Sequence, residues 1–261
     1  MLILILTGFI LYKIPTENQI RGCITTSMFE IELCPGSKTY APLKQISGYI
    51  QKAIITTEDG KFYEHDGFDS EGIEKCFEKI KETKHFVCGG STITQQLAKN
   101  LYLSKDKTLI RKGLEALITV KIEKTLTKKE ILERYLNAVQ FGKNIFGIKK
   151  AAQFYFKKSP SQLDVVESAF LAMVLPNPEK YSQSYYRKDL TKFARRRIKQ
   201  IITNMYQFKE INQEAYETGI NRIDSFLAGG QAVPRPVQEI ETLTNDDIDE
   251  MLIPDNDKLE N

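Results

Sequence analysis

The chain has 261 residues, of which 41% are hydrophobic, 10% aromatic and 27% charged, with 15 Gly and 9 Pro. That composition suits one large globular domain or two small ones, and it excludes wholesale disorder, a collagen-like repeat and a multi-span membrane protein. The net charge of +3 is unevenly placed: Val237 to Asn261 holds nine acidic residues against one Lys, so the residues before it carry about +11, a basic body suited to an anionic partner such as nucleic acid, a membrane surface or a phosphate-bearing substrate.

Met1 to Tyr12 (MLILILTGFILY) is apolar and uncharged. Twelve helical residues reach ~18 Å, short of a hydrocarbon core of ~30 Å. We expect residues 1–12 to be the distal part of a truncated membrane anchor, with a buried strand as the alternative. Residues 13–41 read as short β-like pieces: Phe29 to Leu33 alternates, and Pro35-Gly36 breaks the run. From Pro42 the pattern turns helical, with Ile46, Ile50, Ala53 and Ile54 at spacings of three and four. A polar loop, roughly Asp66 to Gly90, interrupts it. Helical periodicity follows over 92–103, 107–126, 128–139, 145–156, 161–175 and 189–207, and Pro176 and Pro178 end the fifth of these. After Gly229-Gly230 the chain is acidic and Pro-containing, which predicts a disordered tail over 229–261, with Asn245 to Ile253 as one short amphipathic turn. The body, 42–228, reads as one mostly α domain with a small β element near its start. The cysteines at 23, 34, 76 and 88 allow two disulfides in any of three pairings. A zinc site built on His85 and Cys88 is the weaker reading, because no CxxC pair accompanies them.

Chemistry-bearing residues gather in five segments. Glu58-Asp59-Gly-Lys-Phe62-Tyr-Glu-His65-Asp-Gly67 closes a helical pattern. Carboxylates at a helix C-terminus oppose the macrodipole, a local conflict of the kind that marks functional sites. Gly89-Gly90-Ser91-Thr92 leads into a helix, on which Thr92, Gln96 and Lys99 share an arc of ~60°. That face is rich in donors and has no acid, unlike an ordinary solvated face. Arg111, Lys112 and Glu115 share an arc of ~100°; alone they would read as a surface ion pair worth only ~0.2–0.5 kcal/mol. Ile131, Leu132, Tyr135 and Leu136 form a packing stripe, and Arg195-Arg196-Arg197 is either a solvated face or a phosphate contact. Other templates fail: there is no GxGxxG, Walker loop or HExxH, and Ser104-Lys-Asp-Lys107 matches SxxK without a KTG or SDN to accompany it.

EDGKFYEHDG (58–67), GGSTITQQLAKN (89–100), RKGLE (111–115), KKEILERYLN (128–137) and RRR (195–197) stand in the order of the five motifs of the family 51 peptidoglycan glycosyltransferases, which the stretch from about Tyr40 to Met205 resembles. With no transpeptidase motifs after it, the chain resembles the monofunctional type. The resemblance implies a mostly α, lysozyme-like two-lobed domain hung on one N-terminal transmembrane helix in the bacterial inner membrane, facing the periplasm. It implies polymerisation of lipid II into β-1,4-linked glycan strands with release of undecaprenyl diphosphate and inversion at the anomeric carbon. Glu58 matches the general base on the acceptor 4-hydroxyl. Lys99, Arg111 and Lys112 match the phosphate-contacting positions. Glu115 matches a second essential carboxylate, which positions these cations or holds a divalent metal (Mg or Mn) on the pyrophosphate. Asp59, Phe62, His65, Thr92, Gln96 and Asn100 match motif positions that shape or hold the substrate site. The implied partners are lipid II, the growing lipid-linked glycan, the membrane surface and other cell-wall synthesis proteins, with no nucleic acid. No organic cofactor is expected. Because cations would depress a neighbouring carboxylate and weaken it as a base, Glu58 is expected to lie farther from the substrate phosphates than Glu115 does. Cys23–Cys34 is expected to close the β element, and Cys76–Cys88 to tether the loop between the first two motifs. The alternatives are a lysozyme-like glycan-cleaving enzyme, which also uses paired carboxylates, and an inactive membrane-anchored scaffold.

Overall fold

The computed structural model describes residues 13–83, 90–104, 106 and 108–227. The anchor expected at 1–12, the tail at 229–261, and His85 and Cys88 lie outside the described residues. Among the described residues no helix is long and apolar enough to cross a membrane.

The described chain is mostly α. It opens with α1 (Glu17–Arg21), which the β-like reading of residues 13–41 did not foresee; Thr16 and Gln19 form a reciprocal capping box that starts it. Strands β1 (Ile24–Thr25) and β2 (Glu32–Leu33) then pair antiparallel, Ile24 opposite Leu33, and the Cys23–Cys34 disulfide closes the hairpin as expected. This segment is stitched to the helices that follow. The Arg134 guanidinium donates to the Arg21 and Gly22 carbonyls, and Asn137 exchanges two hydrogen bonds of 2.8 Å with the Ala41 backbone.

Helix α2 (Gly48–Glu58) starts on the Ser47 cap. The polar stretch read as a loop from Asp66 to Gly90 instead contains α3 (Ser70–Thr83), a correction to the sequence reading. Its residues are good helix formers. The Asp69 carboxylate accepts from the Gly72 N–H at 2.9 Å, and Glu71 pairs with Lys75 one turn on. Cys76, on α3, is disulfide-bonded; its expected partner, Cys88, lies outside the described residues. Then come α4 (Ile93–Tyr102), α5 (Leu109–Thr125) and α6 (Lys128–Ala138), started by the Thr92, Thr108 and Thr127 caps. Strands β3 (Gln140–Gly142) and β4 (Ile145–Phe146) form a second hairpin, so α7 (Ile148–Phe156) begins later than the periodicity suggests. Helix α8 (Val165–Val174) is followed by the short α9 (Pro178–Tyr181) and α10 (Gln183–Arg187), then α11 (Lys192–Gln207) and α12 (Gln213–Arg222).

Packing divides the helices into two groups that share one apolar core. Helices α2, α8, α11 and α12 pack together, and α4 packs with α5 and α6. Every residue of α8 is buried, and each large aliphatic side chain so buried contributes about 1.5–3 kcal/mol. Glu58 ends the first group's α2, and Lys99, Arg111, Lys112 and Glu115 stand on the second group's α4 and α5, so the division sets the acid and the cations on opposite partners.

Candidate active site

Glu58 is the last residue of α2, and Asp59 is its C-cap. The loop that follows is clamped onto the start of α4. One Asp59 oxygen lies 2.8 Å from His65 Nε2, and the other accepts from the Ile93 backbone N–H at 2.9 Å. His65 Nδ1 accepts from the Gly67 N–H at 3.1 Å, so Nε2 carries the proton given to Asp59. Thr92 caps α4 and also donates its hydroxyl to the Gly67 carbonyl at 2.7 Å. Gly67 has φ +91, and a Cβ there would stand 2.7 Å from Thr119 Cγ2 on α5, so only glycine allows the loop to come this close. Phe62 is fully buried, with Lys128 Nζ 4.7 Å from its ring centroid. Asp59, His65 and Thr92 thus hold the loop after Glu58 to the start of α4, with Phe62 buried beneath it, and Asn100 is buried farther along α4.

Glu58 itself is partly buried. Gln96 Nε2 donates to its carboxylate at 2.9 Å, and Gln96 Oε1 accepts from the Tyr135 hydroxyl at 3.0 Å. Burial pushes the Glu58 carboxyl above its ordinary value, and the charge of Asp59 adds to the push. The Gln96 hydrogen bond and the charges of Arg197 and Lys99 oppose it without reversing it. Burial, and then the charges of Glu58 and Asp59, likewise push the Tyr135 phenol well up, so it stays protonated and donates.

The cations gather around Glu115, whose side chain is 3% exposed. Arg111 Nη1 lies 2.8 Å from one Glu115 oxygen, and Lys112 Nζ pairs with the other. Lys99, on the facing helix α4, feels Glu115, Arg111, Lys112 and Glu58 together; burial holds its ammonium below the ordinary value. The charges of both carboxylates thus act on Lys99. Glu115 touches two cations, whereas the group that donates to Glu58, Gln96, is a neutral amide.

Two residues outside the sequence-derived site join it. Arg197, on α11, is half-buried and counters the Glu58 charge, whereas Arg195 pairs with Asp189 and Asp224. The signal was the phase of α11, which sets Arg197 beside the buried Ala194, Ile198 and Ile201. Tyr135 sits in the packing stripe as expected and is fully buried, but its hydroxyl reaches Gln96. Ser104 of the SxxK match donates to Asp106 at 2.7 Å. As for a metal, no group of three His, Cys, Asp or Glu assembles among the described residues. Glu115 offers a single carboxylate whose two oxygens already meet cations. This donor set does not fit a protein-held divalent ion.

A family model described as transglycosylase matches residues 27–206. The chain is 49% identical over 146 residues to the biosynthetic peptidoglycan transglycosylase of Aromatoleum aromaticum, covering 56% of this chain and 64% of that one. It is 47% identical over 147 residues to the protein of the same name in an Azoarcus species, with the same coverage. A third, from Acinetobacter baylyi, is 45% identical over 150 residues, 58% of this chain and 67% of the relative. The chain thus spans somewhat under two-thirds of the length of the first two relatives.

Proposed function

Since the chain belongs to the transglycosylase family, we propose that it is a peptidoglycan glycosyltransferase of cell-wall synthesis, polymerising lipid II into β-1,4-linked glycan with release of undecaprenyl diphosphate. Ionised Glu58 takes the proton from the acceptor 4-hydroxyl. The oxygen so freed attacks the donor's anomeric carbon, and the bond from that carbon to the diphosphate oxygen breaks. The electron pair leaves on the diphosphate, and the configuration inverts. A base held above the ordinary carboxylate value takes the proton more readily near neutral pH. Lys99, Arg111 and Lys112 stand in place before charge develops on the leaving group, which avoids reorganisation at the moment of bond cleavage. Arg111 offers a planar fork to phosphate oxygens, and Lys112 a mobile point charge. Glu115 holds both in position. No step is routed through Mg or Mn; a divalent ion on the diphosphate would take from the protein the single Glu115 carboxylate, its other ligands being phosphate oxygens and water.

The observation that carries this reading is the buried Glu115 carboxylate of α5 holding Arg111 and Lys112, packed against α4, which bears Lys99 and the Gln96 that donates to Glu58. A glycan-cleaving hydrolase of the paired-carboxylate kind has no diphosphate to catch and so no use for Lys99, Arg111 and Lys112, and Glu115 is engaged on both oxygens. The substrate's lipid places the site at a membrane surface, and the Cys23–Cys34 disulfide suits the extracytoplasmic side. Labelled lipid II supplied to the purified protein is expected to yield polymer, and Glu58→Gln to abolish it. Release of fragments from finished cell wall without polymer would favour the hydrolase, and neither activity would favour a scaffold.

A further inference from the structure

We propose that Tyr135 is a positioning residue for the general base: by donating its hydroxyl to Gln96 Oε1, it holds the Gln96 amide with its NH2 face against Glu58. The proposal deepens the glycosyltransferase reading and rests on it for the word base. The geometry is a three-member chain through one amide. Tyr135 Oη lies 3.0 Å from Gln96 Oε1, and Gln96 Nε2 lies 2.9 Å from Glu58 Oε2.

An amide has a donor end and an acceptor end, and nothing in its shape chooses between two orientations differing by a half-turn. Flipped, Gln96 would set a carbonyl oxygen against the Glu58 carboxylate, an arrangement that stabilises only the protonated acid. Tyr135 makes the flip costly. Its ring is fully buried and its hydroxyl stays protonated, so a flip would leave the phenol oxygen accepting from the NH2 group and strip the buried O–H of the acceptor it has now. The upright amide donates to the charged carboxylate and favours ionisation. Tyr135 thus acts through Gln96 to keep a partly buried acid available as a base.

The other groups facing Glu58 are fixed by different contacts. Asp59 follows it in the chain and is bonded to His65 and the Ile93 N–H. Lys99 projects from α4, where Glu115, Arg111 and Lys112 also act on it. Arg197 comes from α11, and its guanidinium also donates to Gln200 at 2.8 Å. Removing the Tyr135 oxygen leaves these three charges where they are, so a change in Glu58 would report the amide.

The test compares wild type, Tyr135→Phe, Gln96→Met and the double variant. The first readout is the Glu58 carboxyl titration in the intact protein, followed by carbon-13 NMR of labelled glutamate and assigned by its loss in Glu58→Gln. Tyr135→Phe is expected to move it up by about one pH unit, the size of a hydrogen bond to a charged group. Gln96→Met should move it at least as far, and the double variant no farther than Gln96→Met. The second readout is polymerisation from lipid II against pH. The acid limb should move up by the same amount in Tyr135→Phe, with the rate restored at higher pH, whereas general loosening would lower it at every pH. A Glu58 titration unchanged in either single variant, or additive shifts in the double variant, overturns the proposal. If the titration moves as expected but wild type makes no polymer, the positioning role stands and the glycosyltransferase reading falls.

Discussion

Asp59→Ala is expected to unfold the protein more easily by an amount that can be worked out from two contacts. The Asp59 side chain is 2% exposed and His65 is 9% exposed, so neither group has water to turn to. Alanine leaves the His65 Nε2–H and the Ile93 N–H without an acceptor. Each buried donor left unpaired costs about 1–3 kcal/mol. Ile93 is the first residue of α4, so the carboxylate also supports a helix N-terminus, worth a further ~0.3–1 kcal/mol. The sum is about 2–7 kcal/mol, and at about 2–4 °C per kcal/mol for a domain of this size the melting temperature should fall by roughly 5–25 °C. Asp59→Asn is expected to cost about 1–2 kcal/mol, because its carbonyl still accepts from Ile93 while its NH2 group meets the donor nitrogen of His65. Urea and thermal melts of the three proteins measure both values. Equal losses in the two variants, or a loss below about 0.5 kcal/mol in Asp59→Ala, would refute the claim that this carboxylate clamps the loop to α4.

Glu58→Gln should raise thermal stability at neutral pH while abolishing polymerisation. The folded acid sits above its unfolded value, so the native state binds the proton more tightly and stability falls as pH rises through the interval between the two values. Glutamine removes that penalty, so the gain in melting temperature should be full above the folded value and vanish below the unfolded one; a gain largest at acid pH would contradict the sign. Arg111→Lys keeps the charge but loses the planar fork, and kcat/KM on lipid II should drop about 10-fold or more, with Arg111→Ala lower still; wild-type kinetics in Arg111→Lys would remove Arg111 from the leaving-group site. Gly67→Ala should cost about 1–3 kcal/mol in urea melts, because it combines a positive φ with a Cβ pressed on Thr119, and Thr119→Ser should recover only part of it.

The parts of the site that periodicity could reach were those defined by backbone phase. Helical spacing put Arg111, Lys112 and Glu115 on one arc, and the structure shows them in contact. The opposition of Glu58 to the macrodipole marked a helix end, and α2 does end there. What escaped depended on tertiary approach. A phenylalanine and a tyrosine look alike in an apolar stripe, so the Tyr135 hydroxyl had no signature until α4 was seen beside α6. Arg197 lay hidden in a run of three arginines whose members differ only in which side of α11 they occupy. Helix α3 reads as a loop in the sequence because half of its 14 residues are charged, and helix α1 falls inside the β-like stretch because its five residues are too few to show a helical period.

The stitching of residues 13–41 to α6 has a practical consequence. Arg134 and Asn137 each spend their donors on that leading stretch, and Tyr135 lies between them. Trimming the gene to begin at the first long helix would strand a guanidinium and an amide within one turn of the phenol that orients Gln96. A shortened protein of that kind should lose its pH profile before it loses its helices, and soluble versions made for inhibitor screening should begin no later than residue 13.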